Sequence, residues 1–180
     1  MRARAGARHP RCVTVSQPVG EPVLLRRLVP GDWPALRELR LAALAEAPYA
    51  FGSRLADWQG DGDREERWRQ RLSLVGAYNL IAMLDGVPAG MAAGIPGDEP
   101  GEAELISMWV TPKARGQLVG DTLINEIEAW ARDAGYVRLL LLVKADNPAA
   151  IHLYERNGFA FVPGVSVDED GERPMAKELT

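Results

Sequence analysis

The chain has 180 residues but a single cysteine, Cys12, and only two histidines, His9 and His152. One cysteine excludes an intramolecular disulfide and a thiolate ligand set, and fits a cytoplasmic protein. Two histidines, one of them close to the N-terminus, leave neither a His-based zinc site nor spare candidates for a Ser-His-Asp triad, so the expected chemistry uses no metal and no imidazole. No apolar run approaches the roughly 20 residues that span a bilayer, so no membrane role is expected. Early acidic charge is also missing: Arg2, Arg4, Arg8 and Arg11 all precede the first acid, Glu21, and subtracting those four from a net charge of −4 leaves −8 on the rest. A body that acidic does not suit nucleic acid, whose phosphates need clustered Lys and Arg, but it suits a cationic small molecule or amine.

The length allows one well-buried core and is short for two, which predicts a flexible Arg-rich leader over 1–21 and a single domain over 22–180. The leader has neither an amphipathic period nor an apolar signal core. Val23–Val29 suits a strand, and Asp32 is placed to cap a helix with Leu36, Leu39, Ala43 and Leu44 on its apolar face, ending near Ala47-Pro48. Tyr49–Gly62 has no period and predicts a loop, followed by a helix over Arg64–Leu74. Tyr78–Leu84 and Val87–Ile95 flank Asp85-Gly86, a strong hairpin signal. A turn over Pro96–Gly101 then leads into a strand over Glu102–Thr111.

The most informative stretch runs from Glu104 to Asp121, where an apolar strand breaks at Thr111-Pro112 into a basic, glycine-bearing turn and then a helix. Val119, Leu123, Ile127, Trp130 and Ala134 follow helical spacing up to Gly135. Backbone N–H groups between Arg115 and Gly120 would lie at the helix N-terminus, where unsatisfied donors and the macrodipole favour a phosphate or pyrophosphate. Val137–Val143 is almost wholly apolar, which predicts a parallel strand buried on both faces. Asn147-Pro148 opens a short helix over Ala149–Asn157 that Gly158 closes, and Phe159–Pro163 and Pro174–Leu179 are the last strands, around the acidic loop Asp168–Glu172. The whole is mixed α/β, with an antiparallel start, one central parallel strand-helix-strand crossover and an antiparallel finish. A dinucleotide-binding domain would need a G-x-G-x-x-G turn, and this loop lacks that glycine spacing.

Two blocks resemble the GNAT superfamily of acetyl-CoA-dependent N-acetyltransferases. Val110-x-Pro112-x-x-Arg115-Gly116-x-x-x-Gly120 is similar to the family's pyrophosphate loop, and Asn147-Pro148-Ala149-Ala150-x-x-Leu153-Tyr154-Glu155-x-x-Gly158-Phe159 to its C-terminal cofactor helix. The likeness covers nearly all of Val23–Leu179, with Leu118 standing where the family usually has a glycine. Leu118 can donate its N–H if its φ is helical rather than positive.

The resemblance implies a mostly antiparallel sheet with a splayed cofactor cleft, and acetyl-CoA as acetyl donor with no metal. The implied cofactor contacts are Met108, Trp109 and Val110 along the arm, Arg115, Gly116, Gln117, Leu118, Val119, Gly120 and Asp121 at the pyrophosphate, and Asn147, Ala150 and Tyr154 on the last helix. It implies Tyr154 as the acid for the departing thiolate, the Met108 N–H at the thioester oxygen, and Glu104 as general base, a solvated strand-end acid being the alternative. Asn147 and Tyr154 are seven apart, a shared helix face about 10 Å long, though an N-cap and a core aromatic would fit the same spacing. Tyr49, Phe51 and Trp58 fall where relatives shape the acceptor pocket, core packing being the alternative. Asp168, Glu169, Asp170 and Glu172 could attract an amine or simply form a solvated loop. The expected acceptor is a primary amine on a small molecule (a small amine, an amino acid or an antibiotic-like compound), with a protein N-terminus or lysine as the other acceptor class and an idle acyl-CoA-binding module as the non-enzymatic alternative. A homodimer is compatible with the sequence.

Overall fold

The computed structural model describes residues 22–179, so the leader, with Cys12 and its arginines, lies outside the described residues. Seven strands form one sheet: β1 (Leu24–Arg27), β2 (Tyr78–Leu84), β3 (Val87–Pro96), β4 (Glu102–Val110), β5 (Arg138–Lys144), β6 (Ala160–Phe161) and β7 (Glu172–Glu178), in the order β1-β2-β3-β4-β5-β7-β6. All neighbours are antiparallel except β4 and β5. The helices are α1 (Trp33–Glu46), α2 (Glu65–Leu72), α3 (Val119–Asp133) and α4 (Pro148–Arg156). This is the mixed architecture that the element order predicts. β2 and β3 close through Asp85 and Gly86, both at positive φ, as a two-residue hairpin turn requires.

Strand alternation divides the core into two layers. Leu80, Ala82, Ala92, Leu105, Leu139 and Leu141 pack with Val119, Leu123 and Ile127 of α3. Ile81 and Met91 face the other way, against Leu36, Leu39 and Leu44 of α1 and Trp68 and Leu72 of α2. Gly94 lets α3 lie close, since a Cβ there would run into the Trp130 ring. Trp130 is consequently half-buried and stacked on Tyr78 with centroids 5.8 Å apart, while Ala131 rather than the exposed Ala134 extends the buried stripe.

Three local expectations change. Asp32 does not cap α1 through its side chain; its carboxylate accepts the Val29 N–H at 2.9 Å and closes the short 3-10 turn before the helix. Tyr49–Gly62 is built from three 3-10 turns, not an irregular loop. β5 is buried on one face only: Leu139, Leu141 and Val143 face α3, whereas Leu142 is 51% exposed. The cause is that the buried cluster under α1 and α2 takes in residues of β2, β3 and β4 but none of β5 among the described residues.

Two irregularities in β4 create the cleft. Met91 opposes Trp109 and Ala93 opposes Ile106, so β4 carries one extra residue, a β-bulge, with Ser107 at φ 56°. The extra residue inverts the alternation: Leu105 belongs to the α3 layer, but Trp109, four residues on, belongs to the α1–α2 layer. The parallel pairing of β4 with β5 covers only Glu102–Glu104 against Arg138–Leu140, after which the strands part. β4 runs on to Val110 and β5 to Lys144 without pairing to each other, which leaves backbone groups along the gap free.

Candidate functional site

The gap opens into a cavity of about 290 Å³ between the end of β4, the N-terminus of α3, one face of α4 and the residues after α1. Of the expected cofactor contacts, Met108, Trp109, Val110, Arg115, Gly116, Leu118, Val119, Gly120, Asp121, Asn147, Ala150 and Tyr154 all line it. Gln117 does not; its side-chain amide donates to the Lys113 carbonyl at 2.9 Å, folding back on the preceding turn.

In the turn before α3 the Gln117 N–H donates to the Ala114 carbonyl at 3.3 Å, while its neighbours' N–H groups are left over. Gly116 has φ +80°, and Leu118, the residue capping α3, has φ 61° and ψ 9°. Leu118 thus occupies the left-handed region that glycine favours, which corrects the expectation of a helical φ. Its side chain is 67% exposed, so the strained residue does not fill the cradle with a buried side chain. Among the described residues no acceptor takes the N–H groups of Gly116, Leu118, Val119 or Gly120. Successive unbonded N–H groups through an αL turn at a helix N-terminus form an anion-binding concavity. Gly120 keeps this wall low, because a Cβ there would lie 3.0 Å from the Leu153 side chain.

The charged side chains of the rim are engaged by one another. Arg115 donates through Nη2 to Glu46 at 2.7 Å and through Nε to the Val110 carbonyl at 3.2 Å, and Trp109 donates its indole N–H to the same carboxylate at 3.1 Å. The Arg115 hydrogen bond, with help from Trp109, holds the Glu46 carboxyl below its ordinary range. Glu46 is the last residue of α1, where the helix dipole disfavours an acid, so this pairing ties α1 to the bulged strand and the turn. Asp121 is gripped by Arg156 at 2.8 and 2.6 Å and by the Asn157 amide at 3.0 Å, which links α3 to α4. The Arg156 hydrogen bonds, opposed in part by burial, lower the Asp121 carboxyl.

On α4, the Asn147 side chain accepts the Ala150 N–H at 3.1 Å, the N-cap that the Asn-Pro pair predicts. Tyr154 is 7% exposed, lies edge-on to Phe159 with centroids 6.0 Å apart, and makes no side-chain hydrogen bond among the described residues. Burial pushes its phenol well above the usual value, so it holds its proton.

Glu104 stands apart from this group. It lines a second cavity of about 170 Å³ with Asp98, Glu102, Leu140, Leu142 and Pro174. Burial, and then the charges of Asp98 and Glu172, raise its carboxyl above the ordinary range. Four residues of strand, about 13 Å if fully extended, separate it from Met108. Tyr49 and Phe51 line the main cavity, whereas Trp58 is buried against Trp68 and belongs to the core. Of the acidic loop, Glu172 acts on Glu104 while paired with Lys144 at 3.1 Å. Glu46 escapes sequence reasoning because its partner Arg115 lies 69 positions away. Among the described residues no cluster of three His, Cys, Asp or Glu could hold a metal, and no helix is long and apolar enough to cross a membrane.

Comparison with known proteins gives a consistent result. The model of the acetyltransferase (GNAT) family matches residues 33–159. An IAA acetyltransferase from Azospirillum brasilense is 38% identical over 81 residues, 45% of this chain and 53% of that protein. A mycothiol acetyltransferase from Salinispora arenicola is 33% identical over 156 residues, 85% of this chain and 50% of that protein. The chain thus spans about half the length of these two relatives. The PaiA N-acetyltransferase of Thermoplasma acidophilum, solved with coenzyme A, superimposes with a TM-score of 0.69 at 20% identity, over 88% of this chain and 99% of that one.

Proposed function

This chain belongs to the acetyltransferase (GNAT) family, and from that premise we propose that it transfers the acetyl group of acetyl-CoA directly to a primary amine on a small molecule. The observation that carries the reading is the meeting, in one cavity, of unpaired β4 backbone, unbonded N–H groups before α3 and the partnerless Tyr154 hydroxyl. An extended cosubstrate with an anionic end fits these features: neutral donors for a pyrophosphate at one end, a strand-edge gap for an amide-bearing arm, and a proton donor beyond it.

Acetyl-CoA supplies a thioester. In the proposed roles, Gly116, Leu118, Val119 and Gly120 bind the pyrophosphate through N–H groups, and the free edge of β4 at Val110 orients the arm. The Met108 N–H hydrogen-bonds the carbonyl oxygen. The acceptor nitrogen attacks the carbonyl carbon, forming N–C as C–S breaks; the sulfur takes the Tyr154 proton, and the amine proton leaves along a chain of waters to the Glu104 carboxylate in its separate cavity. Glu104 suits a base because its raised carboxyl lies closer to neutrality than an exposed one, and Asp98 and Glu102 beside it favour a cationic amine.

Calorimetric titration with CoA, followed by a screen of amines that reads free thiol from acetyl-CoA, tests the proposal. Tight binding with thiol release for some amine supports it. Binding without release across the screen would instead support a module that holds acyl-CoA without turnover.

A further inference from the structure

Resting on the acetyl-transfer reading above, we infer that the acceptor amine also carries a carboxylate, held by Arg40 of α1 and Arg71 of α2 beside the β4 bulge. Arg37, Arg69, Arg115, Arg132, Arg138 and Arg156 each face a carboxylate. Arg40 and Arg71 face none among the described residues. Arg40 is 4% exposed, and its Nε and Nη1 have no hydrogen-bond partner. It sits on the apolar face of α1, with Leu36, Ala43 and Leu44. Enclosing a guanidinium without an anion is costly, and the face of the Phe51 ring beneath it offsets only part of that cost.

Neither guanidinium lines the cavity itself; each stands behind a residue of its wall or next to one. The Arg40 guanidinium lies 4.6 Å from the centre of the Phe51 ring, and Phe51 lines the cavity. Arg71 donates through Nη2 to the Ser107 hydroxyl at 2.6 Å, and Ser107 is the bulge residue that precedes Met108. The two cations are close enough to act on each other: burial first, and then Arg71, lower Arg40 to about 10. Arg40 therefore stays charged at neutral pH, and the pair lacks an anion. Arginine offers parallel N–H donors that match a carboxylate's two oxygens. A carboxylate held here would lie one residue from the backbone N–H assigned to the thioester oxygen, and so close to the attacking nitrogen. That spacing describes an amino acid, with amine and carboxylate separated by few bonds.

The test is a panel of α-amino acids and their neutral amides, assayed with acetyl-CoA in wild type, Arg71→Gln and Arg40→Met. Charge-assisted hydrogen bonds predict a kcat/KM for the best amino acid at least about 30-fold above that of its amide. Each substitution should reduce that preference to below about 3-fold by raising KM while sparing kcat, and Arg40→Met should raise Tm because a buried charge is gone. Amides or carboxylate-free amines that match the acids, or a preference that survives both substitutions, would overturn the inference. A second arm needs no turnover: the CoA-bound protein is titrated with N-acetyl amino acids and their amides. Binding of the acids alone, lost in Arg71→Gln, supports the inference, and equal binding or none overturns it. Failure to bind CoA at all would overturn the transferase reading and this inference with it, a result distinct from acetylation without acid preference.

Discussion

The cleft has two arginine-bearing regions that use the same side chain in opposite ways. On the rim, Arg115 and Arg156 are matched to Glu46 and Asp121, and the surface proposed to bind an anion is made of neutral backbone N–H groups. In the α1–α2 layer, Arg40 is buried with two unpartnered nitrogens over the Phe51 ring, and Arg71 meets the Ser107 hydroxyl and the Trp58 ring but no carboxylate among the described residues. A matched, half-exposed ion pair contributes little net binding and mainly fixes geometry, whereas an unmatched buried cation is a standing demand for an anion. The rim is thus read as scaffold and the inner pair as recognition.

The sharpest change is expected where the two regions meet. Tyr154→Phe removes the free hydroxyl and should lower kcat by about 10²- to 10⁴-fold with little change in the KM for acetyl-CoA. Steady-state kinetics with full activity would leave water as the proton donor. Next in size, Gly120→Pro deletes one N–H and adds bulk against Leu153, and should weaken CoA binding by at least about 100-fold in calorimetry with the fold intact by circular dichroism. Unchanged affinity would mean that the cradle is not the pyrophosphate site.

Glu46→Ala tests the scaffold half of the comparison. It frees Arg115 and Trp109, and should cost about 1 kcal/mol of stability and raise the KM for acetyl-CoA a few-fold while kcat holds. A rise in affinity would show that Arg115, once released, binds phosphate directly, and would erase the distinction between the regions.

Glu104→Gln separates base from cation trap through its pH profile. The folded carboxyl is raised, so the wild type loses stability as pH climbs from the ordinary carboxyl range through that raised value. Glu104→Gln should therefore raise Tm at neutral pH, with the difference shrinking as pH falls through the raised value and gone below about 4. In kinetics it should lose the acidic limb of the rate profile if Glu104 is the base, and raise only the acceptor KM if it holds the cation. The smallest effect belongs to Leu118→Gly, which relieves a left-handed φ on an exposed residue and should add about 1 kcal/mol, a Tm increase of about 2–4 °C. CoA affinity should stay within about twofold, since the N–H remains.

Much of this arrangement was legible in the chain because it rests on short-range signals. Asp85-Gly86 marks its hairpin, Val119, Leu123 and Ile127 mark the buried face of α3, and Asn147-Pro148 marks the start of α4. What was hidden depends on long-range packing. The residues near Ser107 do not themselves announce an extra strand residue; only the resemblance, through its splayed cleft, points to one, and it reverses the alternation of β4 and turns Trp109 toward Glu46. The Glu46–Arg115 pair joins distant segments. Leu118 looked compatible with a helical φ because its left-handed turn follows from how β4 enters α3. Arg40 did leave a trace: it falls four residues after Leu36 and four before Leu44, an arginine on an apolar stripe, a pattern that marks a buried charge needing a partner.

Backbone amide NMR of the protein titrated with CoA tests the central claim most directly. The account predicts the largest shifts at the N–H groups of Gly116, Leu118, Val119 and Gly120, followed by those of β4 around Met108 and Val110. Shifts confined to the Glu104 cavity, or a spectrum unchanged by CoA, would contradict it.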